Sequence, residues 1–161
     1  MSLKDLCDVS YFRINNEINR PVDGQIPLNK DKEALEAFFK ENVLPNSMAF
    51  DSITDKIKFL VENDYIESEF IAKYKPKFIE SLAKDLQAAN FHFQSFMAAY
   101  KFYQQYALKT NDGEAYLESI EDRVLFNALY FADGNEDLAQ DLAREMIAQR
   151  YQPATPSFLN A

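Results

Sequence analysis

The scarcity of glycine is the feature of this sequence that most constrains its fold. The 161 residues contain only three glycines, Gly24, Gly113 and Gly134, and each stands among Asp, Asn or Glu in a stretch typical of a turn. Long segments free of helix breakers remain, so we predict a mostly α-helical chain. With 47% hydrophobic and 14% aromatic residues, the chain can fill the core of one ordinary globular domain.

Apolar residues recur at helical spacing over most of the chain after residue 30. Side chains three and four positions apart predict helices over 31–44, 53–61, 67–74, 76–86, 94–108, 114–132 and 135–150. Asp51 or Ser52 can cap the second of these helices, and Pro76 suits a first helical turn. The helix over 94–108 is aromatic around most of its circumference, which predicts a central position.

Both ends of the chain lack helical periodicity. Two prolines flank a turn at 22–25, so residues 1–30 are predicted to form an extended arm with at most a short hairpin. Two further prolines prevent residues 151–161 from continuing the preceding helix. Phe158 and Leu159 would each gain about 1.5–3 kcal/mol from full burial, yet no later element covers them. We therefore expect a truncated polypeptide with a poorly ordered tail.

Charge and cysteine content narrow the class of function. Acidic residues outnumber basic ones by 26 to 17, and a net charge of −9 repels the phosphate backbone of nucleic acids. No apolar run approaches the roughly 18–20 residues that cross a bilayer, and the chain does not start with a signal peptide. The single cysteine, Cys7, has no second thiol and lies far from the only histidine, His92. A cytoplasmic protein without nucleic-acid or membrane binding is predicted.

Few residues of the sequence suggest catalysis, metal binding or phosphate binding. One histidine cannot supply the paired Glu-x-x-His motifs of a di-iron bundle, zinc-ligand clusters are missing, and no glycine-rich phosphate loop occurs. We therefore predict no catalytic residue and no metal site. The carboxylates of Glu118, Glu121 and Asp122, which lie beside Arg123, could perform acid/base chemistry. Their spacing favours a solvated or partly buried ionic cluster with Glu118 and Asp122 on one helix face.

Two aromatic-rich features have alternative interpretations. His92, between two phenylalanines, could titrate or stack on a base, but a packed or capping histidine is the more common case. The row Tyr100, Tyr103 and Tyr106 suggests radical transfer. Tyrosines at helical spacing more often belong to a core and have hydrogen-bonded hydroxyls.

Several stretches of the chain resemble a known family. Residues 95–103 (SFMAAYKFY), 106–113 (YALKTNDG) and 121–123 (EDR) are similar to the N-terminal region of class Ib ribonucleotide reductase large subunits. Residues 15–17 (NNE) and 31–34 (DKEA) resemble the opening of those subunits. Residues 151–161 (YQPATPSFLNA) resemble the entry to their catalytic barrel. The resemblance covers essentially the entire chain.

The resemblance implies a mostly α fold in four parts. An N-terminal arm over 1–30 would precede a shortened, cone-like helical part over 31–90, related to the ATP-binding cone of larger family members. The helical part over 91–150 would flank the family's ten-stranded α/β barrel. Residues 151–161 would begin that barrel domain and be truncated.

The resemblance also implies an activity, the reduction of ribonucleoside diphosphates to deoxyribonucleoside diphosphates by thiyl-radical chemistry for DNA synthesis. Thr155 would help to hold the substrate's phosphates, since its hydroxyl can donate to an anion; a plain loop threonine is the alternative. The family's cysteines for catalysis lie downstream of residue 161, and Cys7 matches none of them. This chain alone would therefore not be catalytically competent.

Partners follow from the same resemblance. The remainder of the large subunit would complete the enzyme, and a small subunit would generate the radical at a dimanganese or di-iron tyrosyl-radical centre. The shortened cone could bind an adenine nucleotide effector, although it lacks a phosphate loop. The alternative from another class is a free-standing helical module for protein interaction or nucleotide-dependent regulation.

Overall fold

The computed structural model describes residues 9–160 of the chain. In this part of the chain, helices and isolated β-bridges occur and no strand is formed. The helices are α1 (Ser10–Asn16), α2 (Asn29–Phe38), α3 (Ile53–Glu62), α4 (Ser68–Ile71), α5 (Pro76–Ala88), α6 (Phe96–Lys101), α7 (Ile120–Ala132), α8 (Glu136–Ile147) and α9 (Thr155–Asn160). The mostly α fold predicted from the sequence is confirmed. None of the helices described is long and apolar enough to span a bilayer.

Two helices continue into π-helical turns. Phe39–Val43 extends α2, and Phe102–Tyr106 extends α6. In both places the predicted continuous helix, over 31–44 and over 94–108, agrees with the observed ends to within two residues, but the last turn is wider than an α-helical one.

The first thirty residues contain more helix than the predicted extended arm. Helix α1 and a 3₁₀ turn at Glu17–Asn19 precede the tight turn, in which Val22 and Gln25 exchange two backbone hydrogen bonds of 2.9 Å. The short hairpin was expected, whereas α1 was not. Seven residues are too few for an isolated helix to be stable, so the packing of its buried Tyr11 stabilises it.

The chain divides into two compact units. Among the described residues, the first comprises 9–47 together with His92–Gln105 and Lys109–Tyr116. Its core is aromatic: the ring of Phe38 meets those of Tyr11 and Phe96 edge to face, with centroids 5.2 and 5.8 Å apart. Edge-to-face pairs contribute about 0.5–1.5 kcal/mol beyond area burial. Phe96 is fully buried, so the predicted central position of the aromatic helix is confirmed within this unit.

The second unit comprises Met48–Phe91, Tyr106–Leu108 and the described residues 117–160. Helix α7 lies at its centre, buried on most sides, and packs against α5 and α8. Its apolar core is continuous along these helices and includes Leu82, Leu86, Val124, Leu125, Leu129 and Met146.

The start of α7 differs from the prediction. The helix expected over 114–132 begins only at Ile120, because Ser119 and Asp122 form a capping box. The Ser119 hydroxyl accepts the Asp122 N–H at 3.3 Å, and the Asp122 carboxylate accepts the Ser119 N–H at 2.8 Å. These two bonds satisfy N–H groups that have no partner within the helix. Glu118 is consequently outside the helix.

Candidate functional site

The C-terminal segment forms helix α9 in place of the poorly ordered tail expected from the sequence. Pro156 occupies its first turn, where a missing N–H breaks no helical bond. Phe158 is only 6% exposed, so the expectation that nothing covers it was wrong. Leu159 stays 37% exposed, and Thr155 is exposed at the start of the helix.

Two polar side chains of α7 hold the backbone of α9. Arg123 Nη1 donates to the carbonyl oxygens of Phe158 at 3.5 Å and Leu159 at 3.3 Å. Asn127 Nδ2 donates to the Phe158 carbonyl at 3.3 Å and to the Arg123 carbonyl at 2.8 Å. The last carbonyls of a helix have no partner within it, so these donors stabilise the end of α9. Residues four apart share a helix face, which lets both side chains reach the same carbonyl.

Arg123 is itself fixed by a buried ion pair. Its Nη2 lies 2.6 Å from Glu118 Oε2, and the side chains are 5% and 1% exposed, respectively. The same carboxylate oxygen accepts the Leu108 N–H at 3.0 Å. Burial raises the pKa of Glu118 above its ordinary value, because desolvation outweighs the opposing effects of Arg123 and the Leu108 N–H. The predicted ionic cluster is therefore more deeply buried than expected.

Asp122, another acid of the predicted cluster, has hydrogen-bond and ion-pair partners of its own. Asp122 serves the capping box and forms an ion pair with Lys56 at 2.6 Å. Glu118 and Asp122 do not share a helix face, since Glu118 precedes α7. The ionic contacts that the favoured interpretation predicted are present in the structure.

Tyr106 contacts both Thr155 and Phe158 of α9. Its phenol oxygen lies 3.4 Å from Thr155 Oγ1, and either hydroxyl can donate. Its ring meets the Phe158 ring edge to face, with centroids 5.6 Å apart. Thr155, the predicted phosphate-binding residue, is therefore exposed on a short helix whose inner face is held by Tyr106, Arg123 and Asn127.

A cavity of about 840 Å³ opens in the second unit beside the ion pair. Its lining includes the exposed carboxylates of Asp64, Glu67 and Glu69 and the buried pair of Glu118 and Arg123. The exposed carboxylates repel phosphate groups. The cavity is therefore a poor candidate for a nucleotide phosphate site.

The remaining sequence-predicted residues are not part of this site. His92 is exposed, and Ser95 caps α6, so the expectation of a packed or capping histidine was wrong. Tyr100 and Tyr103 pack in the aromatic core of the first unit, as the core interpretation predicted. Cys7 lies outside the described residues. Between residues 9 and 160, no group of three or more His, Cys, Asp or Glu side chains is placed to hold a metal ion.

The sequence analysis did not single out Asn127, and it named Tyr106 only as a member of the tyrosine row, without its contacts to α9. A signal for Asn127 was available, because Arg123 and Asn127 are polar residues four apart within an otherwise apolar stretch. Such a pair in a buried helix face requires hydrogen-bond partners. Tyr106 had no comparable signal, since its contacts involve residues about 50 positions away.

Comparisons with known proteins match the chain to one family. The model for the ribonucleotide reductase N-terminal region matches residues 11–91, and the model for the ribonucleotide reductase all-alpha domain matches residues 92–161.

Curated relatives agree with these family models. The ribonucleoside-diphosphate reductase NrdEB subunit alpha of Bacillus subtilis (strain 168) is 45% identical over 152 residues, and ribonucleoside-diphosphate reductase subunit alpha of the same strain is 44% identical over 151 residues. The corresponding subunit of Mycoplasma pneumoniae is 44% identical over 131 residues. The matches cover 94%, 94% and 81% of this chain but only 14%, 22% and 18% of the relatives. The chain belongs to the ribonucleotide reductase family, in the region of its N-terminal and all-alpha domains.

Proposed function

We propose that this chain is the N-terminal part of the large subunit of a class Ib ribonucleoside-diphosphate reductase. The observation that carries the proposal is the succession of two ribonucleotide reductase family models over residues 11–161. The proposed activity is the reduction of ribonucleoside diphosphates to deoxyribonucleoside diphosphates for DNA synthesis. The remainder of the large subunit would supply the redox and radical cysteines, because Cys7 matches none of them.

Thr155 is the proposed contact to the substrate's phosphates. Its side chain is exposed, while Phe158 on the same helix is buried and the backbone at the end of that helix is held by two donors of α7. A binding group is most precise when a rigid element positions it, and α9 meets this condition. A hydroxyl that donates to a phosphate oxygen forms a charge-assisted hydrogen bond.

The proposed partners follow from the same assignment. A small subunit with a dimanganese or di-iron tyrosyl-radical centre would generate the radical, and the enzyme would act in the cytoplasm.

An adenine nucleotide would act as an allosteric effector on the shortened cone over 31–90. Calorimetric titration of the chain with ATP, dATP and dAMP tests this effector, and the absence of heat at millimolar nucleotide would refute it.

The test of the main proposal is a reductase in which this chain replaces the matching region of the Bacillus subtilis alpha subunit. With the small subunit present, it should convert ribonucleoside diphosphates to deoxyribonucleoside diphosphates. An inactive but folded chimera would overturn the assignment.

Thr155→Val in that chimera tests the phosphate contact. It should raise the KM for the diphosphate roughly 10-fold or more, because hydrogen bonds to charged groups contribute about 1.5–3 kcal/mol. Thr54→Val, at an exposed position on α3, is the matched control and should leave the KM unchanged. Equal KM values for the two variants would rule out the proposed role of Thr155.

A further inference from the structure

We infer that Tyr106 is a positioning residue for the phosphate contact of Thr155, through a hydrogen bond from its phenol to the threonine hydroxyl. This inference rests on the proposed function of Thr155. The two oxygens are 3.4 Å apart, and both side chains belong to the second unit.

The direction of the hydrogen bond follows from proton counting. A threonine hydroxyl has one proton and two acceptor lone pairs. When Thr155 donates that proton to a phosphate oxygen, it can only accept from Tyr106. The phenol then restricts the orientation of the threonine hydroxyl, so less freedom is lost when the diphosphate binds.

The same buried ion pair contacts both chain segments that carry these hydroxyls. Glu118 accepts the Leu108 N–H, two residues after Tyr106, and Arg123 donates to the carbonyls of Phe158 and Leu159 on α9. The edge-to-face contact between Tyr106 and Phe158 adds a second link to the helix that carries Thr155. The contact between the hydroxyls therefore belongs to the same network of contacts as the ion pair and the two rings.

The alternative is that Tyr106 has a packing role only. Tyr106→Phe distinguishes the positioning role from the packing role, because it removes the hydroxyl and keeps the ring that packs on Phe158. Tyr130→Phe is the matched control, since Tyr130 is 45% exposed on α7 of the same unit.

The experiment measures binding of a ribonucleoside diphosphate, and of the corresponding nucleoside without phosphates, to the chimeric large subunit described above. Tyr106→Phe should weaken diphosphate binding roughly 2- to 10-fold, as expected for one neutral hydrogen bond. It should leave nucleoside binding and, in the assembled enzyme, the kcat unchanged.

The outcomes distinguish this inference from the function on which it rests. If Thr155→Val weakens diphosphate binding and Tyr106→Phe does not, the role of Tyr106 is overturned and the role of Thr155 stands. Equal loss of nucleoside and diphosphate binding in Tyr106→Phe would show a packing role and also overturn the inference. If Thr155→Val has no effect, both roles are overturned.

Discussion

The buried pair of Glu118 and Arg123 permits a quantitative prediction. Arg123→Met would leave Glu118, whose side chain is 1% exposed, without its cation. Removing one partner of a buried ion pair costs about 3–5 kcal/mol, and the carbonyls of α9 lose a donor at the same time. We therefore expect the free energy of unfolding to fall by about 4 kcal/mol. The double variant Glu118→Leu/Arg123→Met contains no uncompensated buried charge and should recover about half of this loss.

Urea unfolding, followed by far-ultraviolet circular dichroism, measures these free energies in a double-mutant cycle. The coupling between the two positions should exceed about 1 kcal/mol, as is found for residues in one network. Arg144→Met is the control, because the ion pair of Arg144 with Asp141 is 59% and 70% exposed. Exposed pairs contribute about 0–1 kcal/mol. The reasoning is refuted if the free-energy losses of Arg123→Met and Glu118→Leu simply add in the double variant. It is also refuted if Arg123→Met lowers the free energy of unfolding no more than Arg144→Met does.

Two further predictions concern titration and a helix end. Since the pKa of Glu118 is higher in the folded than in the unfolded state, proton binding to this carboxyl favours the folded state. This contribution is complete below the unfolded pKa and is lost as the pH rises through the folded pKa. The stability advantage of the native protein over Glu118→Gln should therefore widen from pH 7 down to about pH 4.5, and a gap that narrows in acid would contradict this. Tyr74 donates to the Leu129 carbonyl at 2.7 Å and accepts the Gly134 N–H at 2.8 Å, at the end of α7. Tyr74→Phe should lower the free energy of unfolding by about 2 kcal/mol, as measured by urea unfolding, and an effect below about 0.5 kcal/mol would show that water replaces both bonds.

Much of the helical content could be predicted because its signals are local. The capping of α3 by Ser52, one of the two candidates, and the position of Pro76 at the start of α5 both agree with the sequence patterns. The turn between α7 and α8 was also correctly placed, with Asp133 and Gly134 at positive φ. Each of these features depends on residues within one or two turns of each other.

The predictions of secondary structure were wrong where residues distant in sequence stabilise a helix. Helix α1 is stabilised by Tyr11, whose ring packs on Phe38 and Phe96. Helix α9 is stabilised by donors more than 30 positions earlier in the chain. Neither segment has enough residues to show helical periodicity or to form a helix alone.

The sequence by itself determined that the chain is mostly α-helical and acidic, and its motifs indicated the ribonucleotide reductase family. Periodicity, turn residues and motifs can be identified from the sequence because each depends on residues close together in the chain. Only the tertiary structure decided that Glu118 and Arg123 form a buried pair, that Phe158 is covered, and that Tyr106 meets Thr155. These outcomes depend on contacts across 5 to 52 positions of the chain, the longest being that between Tyr106 and Phe158. The physical reason is that burial and hydrogen-bond partners arise only when separate helices pack together.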